Sequence, residues 1–389
     1  MKNNYLLLGI SLIVHLVLIS SILVYFMLLN KEPIADTTFS FNKHSMKQSD
    51  ISTKNFRSSV TLKAVGDILI HGTLYNSAQT TDGYDFSPMF SEVKSHLEDA
   101  DITFANQETM IGGETIGLST YPRFNSPYNV ADTLKDVGID IVSIANNHTL
   151  DRGEQALLNA TSYFDQIGLL YTGGYRTISD SQVIRTITRK GITFSFLAYT
   201  YGTNGIPIPK NKPYIVNLID YDKMTNDIKA AKKISDVVVV SLHFGNEYQR
   251  MPSDDQKEIA AHAVNMGANI ILGHHPHVLQ PMEWIEAENG NKGFVVYSLG
   301  NFLSGQKSIY REIGGILTLT IQKEIKNGSQ TIEVKEPTFL PTYVSKNGYK
   351  IVPLKNASNY GLPNSTKWLA EIDDHMHQLF PENQMAQAN

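Results

Sequence analysis

Acids, amides and imidazoles recur at one place in this sequence, just past an apolar run. Asp67 closes the run in AVGDILIHG, Asn106 and Glu108 in FANQET, Asn147 and His148 in SIANNHTLDRG, and His243 in VVVVSLHFGNEY. His274, His275 and His277 close the run in ILGHHPH. Carboxylates, amides and imidazoles together suit a divalent ion such as zinc, manganese or iron. Taken singly, each has a plainer reading: Asp67 or Asn106 as a cap or turn residue, His243 as a hydrogen-bonded core histidine, Asn147-His148 as a turn. Five apolar runs that end alike point instead to one shared metal site.

Such convergence needs a particular scaffold. The runs VTLKAVG, DITFAN, DIVSIAN, ITFSFLAYT, DVVVVSLHF, ANIILG and FVVYSLGNF read as strands, several apolar nearly throughout, as sheets covered on both faces require. Between them PMFSEVKSHLEDA, SPYNVADTLKDVG, GEQALLNATSYFDQIG, YDKMTNDIKAAKKI and SDDQKEIAAHAVNMG carry apolar residues at helical spacing, often closed by glycine. The fold class is therefore α/β. In open α/β sheets ligands bind beyond the carboxyl ends of strands, so the polar residues above can meet in one crevice. Past Ile321 the pattern becomes a hairpin turning at Asn327-Gly328 and then a polar tail, so that 326–389 reads as a hairpin extension and polar tail in which His375 and His377 are solvated.

The 389 residues include no cysteine, which excludes disulfides and thiolate-ligated metals. Lys plus Arg number 33 against 38 Asp plus Glu, and only six of the basic residues and three of the acidic ones precede Ser58. The remainder is distinctly acidic, which argues against nucleic-acid binding. An anion bound here needs a local cation.

Tyr5–Leu29 is 25 residues without a charge. As a helix it exceeds a hydrocarbon core of roughly 30 Å, and no convincing cleavage site follows it. Residues 1–29 thus read as a membrane anchor in the lipid bilayer, 30–59 as a flexible tether, and 60–325 as the main domain. Lysines flank the span on both sides and do not orient it. The very short leading flank favours a signal anchor, with a single pass in the cell membrane and the main domain extracytoplasmic.

The ordered set AVGDILIHG, FANQE, SIANNHTLDRG, LHFGNEY, ILGHHPHVLQP and YSLGNF resembles the bacterial capsule-synthesis CapA-type family, associated with poly-γ-glutamate biosynthesis and export. The resemblance covers about residues 60 to 305. It implies a metallophosphoesterase-like fold, a two-sheet sandwich flanked by helices. It places Asp67, Glu108, Asn147, His243, His275 and His277 at metal-ligand positions for one or two ions (Mn, Zn or Fe), with His148 as the acid or electrostatic group beside the substrate. Asn106 and His274 fall behind the ligands, and Asp151 either orients His148 or caps the helix that follows. Arg123, in YPRFNSP, is a candidate for an anionic substrate, and Glu247 and Asn301 are candidates for the site's edge.

This sequence departs from the wider phosphoesterase pattern in two places. The Asp-x-His opening is missing, since Leu69 stands two after Asp67 and His71 comes later. Asn106-Gln107-Glu108 replaces a Gly-Asp, so any bridging carboxylate is the longer Glu108. A single-ion or weakened site is thus an open alternative.

The expected function is a part of capsule machinery that acts on poly-γ-glutamate or another anionic envelope polymer beside membrane synthase and export subunits. No G-x-x-x-x-G-K-[ST] phosphate loop is present, which assigns ATP-driven synthesis to those partners. The alternatives are a metal-dependent phosphoesterase and a non-catalytic module that binds polymer through metal.

Overall fold

The structure is a computed structural model that describes residues 55–288 and 290–380. The expected anchor and most of the tether lie outside the described residues. Among the described residues no helix is long and apolar enough to cross a membrane.

Two mixed sheets face each other, and helices cover the outside. The first runs β1 (Phe56–Leu69), β2 (Ile102–Gln107), β3 (Ile141–Ser143) and β4 (Leu170–Thr172), all parallel. On the other side of β1 it continues antiparallel through β12 (Ile313–Lys326), β13 (Ser329–Val344) and β14 (Ile351–Pro353). The short strand β11 (Asn301–Ser304) also pairs with the end of β1. The second sheet has the order β9 (Leu279–Glu286), β10 (Lys292–Leu299), β8 (Ile270–His274), β7 (Val237–His243), β6 (Ile192–Thr200), β5 (Arg185–Arg189). Its β6, β7, β8 and β10 are parallel.

Side-chain alternation explains the sandwich. Val60, Leu62 and Ala64 of β1 share a core with Phe194 and Phe196 of β6, Val237 and Val239 of β7, and Ile270 and Leu272 of β8. Phe104 and Phe196 stack across that interface at 6.2 Å. The alternate residues, Val238, Val240 and Ile271, turn outward to meet α3 (Tyr221–Ala231) and α4 (Asp254–Met266). Likewise Val65, Ile68, Ala105 and Val142 meet α1 (Asn129–Asp136) and α2 (Gly153–Ile167). Because both faces are covered, β7 and β8 are apolar nearly throughout.

Helix ends follow local chemistry. Ser253 and Gln256 form a capping box ahead of α4, and Gly267 closes it at φ 112°. Asp220 accepts from the Lys223 N–H at the start of α3.

Three expectations need correction. PMFSEVKSHLEDA forms two short helices, Ser87–Phe90 and Lys94–Glu98, rather than one. Residues 56–59, read as tether, are already strand, since Phe56 pairs with Ile325 and Ser59 with Gln322. The segment read as a polar tail folds. α5 (Ser365–Met376) buries Ile372 and Met376, one helical turn apart, in the inter-sheet core. His375 and His377 are half-buried rather than solvated, with His375 Nε2 3.0 Å from the Leu279 carbonyl oxygen and His377 Nδ1 2.8 Å from that of Asp373. The hairpin turns at Asn327-Gly328, both at positive φ, as a tight two-residue turn requires.

Candidate metal centre

All five polar strand ends open on the same rim. Register places Asp67 opposite Asn106 across β1 and β2, and His243 opposite His274 across β7 and β8. Asp67 owes its aim to a bulge. The β1–β2 register slips between Val65 and Asp67, and at Gly66 an added Cβ would stand 1.9 Å from the Gly300 carbonyl oxygen. His275 and His277 adopt φ of 98° and 58°, conformations that side-chain-bearing residues rarely take. The strained turn after β8 faces both imidazoles inward: the His275 ring lies 4.8 Å from that of His243, and His277 reaches Asp67.

The side chains form one connected set. Asn106 Nδ2 donates to Asp67 Oδ1 at 2.8 Å, and His277 Nδ1 lies 3.1 Å from Asp67 Oδ2. His277 Nε2 is 3.6 Å and His243 Nε2 3.7 Å from Glu108 Oε1. His243 Nε2 also lies 2.9 Å from Asn147 Oδ1. Three groups each bring ligand atoms within 4.8 Å of one another: Asp67, Glu108 and His277; Glu108, His243 and His275; Glu247, His275 and His277.

Burial makes this set costly without a partner. Asp67, Glu108 and His243 are wholly buried, and neither Glu108 oxygen receives a hydrogen bond. Burial lifts the Glu108 carboxyl well above the usual carboxylate range. Burial pushes Asp67 the same way, but the neighbouring His274 and His277 imidazoles outweigh it and hold that carboxyl well below. His243 is driven well down and His275 to about 3, in each case by burial first and a neighbouring imidazole second. Burial also works against a charged His277, yet the Glu108 and Asp67 carboxylates prevail and push it up to about 9. Two neutral imidazoles beside an ionised and an unsatisfied carboxylate are a donor set that fits a divalent cation.

The remaining expected residues separate by position. His274 is buried, 3.5 Å from Asp67 Oδ1, behind the inward-facing groups. Glu247 joins His275 and His277 and so stands with the ligand-competent groups rather than merely at the edge. Asn301 lies in register with Asp67 across β11 and β1; its amide donates to Gln306 Oε1 and the Arg311 carbonyl, and its buried oxygen has no hydrogen bond. Asp151 orients His148: Nδ1–H donates to Asp151 Oδ2 at 2.7 Å, and that oxygen also accepts the Phe124 N–H at 2.8 Å. It does not cap α2, whose start has no side-chain cap. Arg123, Asn147, His148, Asp151 and Glu247 line an adjoining cleft of about 270 Å³.

Two residues at the end of β6 belong to the site without having been expected there. Asn204 accepts from Asn147 Nδ2 at 3.2 Å and lies 3.4 Å from His148 Nδ1. Tyr201 packs its ring 4.6 Å from that of His275. The available signal was the polar stretch YGTNG after an apolar strand. Asn146 was also passed over; its amide donates to the Gln107 carbonyl and its oxygen accepts the His148 N–H, which fixes the turn carrying both neighbours.

Residues 61–306, the stretch that supplies every group in this rim, match the family described as bacterial capsule synthesis protein PGA_cap. The chain belongs to this family. Over 175 residues it is 36% identical to the PGA biosynthesis protein CapA of Bacillus subtilis, covering 44% of each chain. It is 28% identical over 258 residues to the capsule biosynthesis protein CapA of Bacillus anthracis, covering 64% of this chain and 60% of that one. The chain thus spans about half the length of these curated relatives. Among solved structures, the sulfate thiohydrolase SoxB of Thermus thermophilus aligns over 75% of this chain and 45% of its own, at 11% identity and a TM-score of 0.38.

Proposed function

We propose that this PGA_cap-family protein serves the synthesis or export of a poly-γ-glutamate capsule or a related anionic envelope polymer. In this reading residues 5–29 tether it to the cell membrane, the main domain faces outward, and partner subunits supply ligase and transport steps. Asp67, Glu108, Asn147, His243, His275 and His277 hold one or two divalent cations, with Glu247 at the open side. The observation that carries the metal is the overlap of three ligand-competent groups around a buried glutamate that receives no hydrogen bond. A bound divalent ion supplies positive charge for an anionic group and lowers the pKa of a water.

Two measurements test it. In a polymer-producing host, deletion of the gene should abolish surface polyglutamate, and the Asp67→Ala and Glu108→Ala variants should fail to restore it. Unchanged polymer after deletion would remove the capsule role. Elemental analysis of the purified protein should give one or two equivalents of Mn, Zn or Fe, with fewer in both variants.

A second reading is favoured by one specific feature, the His148–Asp151 pair at the cleft wall. With Nδ1–H donated to Asp151, Nε2 of His148 is the atom that takes or gives a proton, as in general acid–base catalysis. That arrangement suits hydrolysis of a phosphoester. Polymer binding that disappears with chelator, without any bond cleaved, would favour a non-catalytic module instead.

A further inference from the structure

Arg123 and Arg152 both line a hollow of about 380 Å³ next to the cleft, but in opposite conditions. Arg152 is tied to the protein: Nη1 donates to the Gly117 carbonyl and Ser119 Oγ, and Nη2 to the Ile116 carbonyl. Arg123 is exposed, and among the described residues its guanidinium has no ion pair or hydrogen bond. It also lines the cleft beside His148, which shares Asp151 and Ile206 with the hollow.

The backbone under Arg123 is nonetheless fixed from both sides. Ser119 Oγ donates to the Arg123 carbonyl at 2.6 Å, and Ser119 bridges to Asn125. The next residue, Phe124, gives its N–H to Asp151, and its ring meets His148 edge-on at 4.8 Å. Asp151 therefore holds the arm and the imidazole through one oxygen atom. An arginine with an anchored backbone and a free planar head is ready for a carboxylate or phosphate, which it can grip with two parallel hydrogen bonds. Glu247 and Asp151, which also line the cleft, are carboxylates that repel an oxyanion, so the guanidinium of Arg123 and a bound cation are the groups there able to hold one.

We infer that Arg123 is the residue that recognises an oxyanion of the substrate, a carboxylate or a phosphate, in the cleft that it lines with His148 and Glu247. This inference rests on the proposed reading that the rim is a substrate site. A substrate held both at Arg123 and at the metal ligands carries at least two anionic groups, as a polyanionic chain does.

The test uses full-length protein, with manganese and separately in chelator, and two labelled probes: a γ-linked glutamate octamer and a short polyphosphate. R123Q should weaken binding of the preferred probe about tenfold while metal content stays at the wild-type level. R123K should recover part of the loss, because a point charge remains, which damage to the fold would not allow. The probe that loses more affinity identifies carboxylate or phosphate as the ligand. Equal binding by wild type and R123Q, or no binding of either probe to wild type, would overturn the inference. A wild-type protein without metal but with the Arg123 dependence intact in chelator would sink the metal reading alone.

Discussion

Glu108 and His277 face each other at 3.6 Å, Oε1 to Nε2, where neither glutamate oxygen receives a hydrogen bond. A buried carboxylate so placed is a liability to the metal-free fold and an asset to the metal-bound one. Replacing Glu108 by Gln keeps the shape and removes the ionisable group. Metal content of the variant should fall by at least one equivalent. In chelator, its denaturant stability should match that of wild type to within about 1 kcal/mol, because an amide there is as short of partners as a neutral carboxyl. Chelation should lower the melting temperature of wild type far more than that of the variant; equal responses would mean that Glu108 binds no metal.

Gly66 offers a test of how Asp67 is aimed. A Cβ there would stand 1.9 Å from the Gly300 carbonyl oxygen and 2.8 Å from that of Leu299, both backbone atoms that cannot step aside. Gly66→Ala should therefore cost several kcal/mol, among the largest effects of any single methyl group in this domain. By contrast, Gly205→Ala, at a loop position with open space around it, should pay only the milder strain of a positive φ. Urea denaturation of the two variants separates close approach from backbone conformation.

The rim was legible in the sequence because polar residues interrupted strands that are otherwise apolar throughout, and in a sheet covered on both faces such an interruption has few structural explanations. Asp67, Glu108 and His243 showed in this way. Asn204 and Tyr201 did not, because their strand runs into a loop where Asn, Tyr and Gly are ordinary turn residues. Spacing left Asp151 undecided between cap and positioning group, since both roles use a carboxylate at the same point of the chain; only the hydrogen bonds to His148 and Phe124 separate them. The helix over Ser365–Met376 was hidden by its charges, although Ile372 and Met376 carry a one-turn apolar spacing. Its burial depends on a surface built by strands far away in the chain.

His71 gives the fold a pH dependence of its own. Burial pushes its imidazole down to about 4, and Nδ1 lies 3.2 Å from the Gly305 N–H. The unfolded chain takes up a proton near 6.5, where the folded one resists until about 4. The contribution to stability is therefore complete above pH 6.5 and is lost as pH falls from 6.5 towards 4, by about 3 kcal/mol at most. His71→Asn keeps an acceptor for Gly305 but cannot titrate. Its stability curve should be flatter than that of wild type over this window, and parallel curves would show that His71 is not the group responsible.

If the rim is hydrolytic, His148 and Asp151 should affect rate without affecting metal. His148 lies in the cleft, with Nδ1 committed to Asp151 and its ring braced on Phe124, so loss of the imidazole removes a proton-transfer group and leaves the ligands untouched. His148→Ala should retain wild-type metal content yet cleave bis(p-nitrophenyl) phosphate about 10²–10⁴-fold more slowly. Asp151→Asn still offers an oxygen to the Phe124 N–H, but the carboxylate that accepts from His148 Nδ1–H is gone. Its rate should fall less than that of His148→Ala, at unchanged metal content. Wild-type rates in both metal-loaded variants would take His148 out of the chemistry, and a metal-loaded wild-type protein that cleaves nothing would leave polymer binding as the function of the rim.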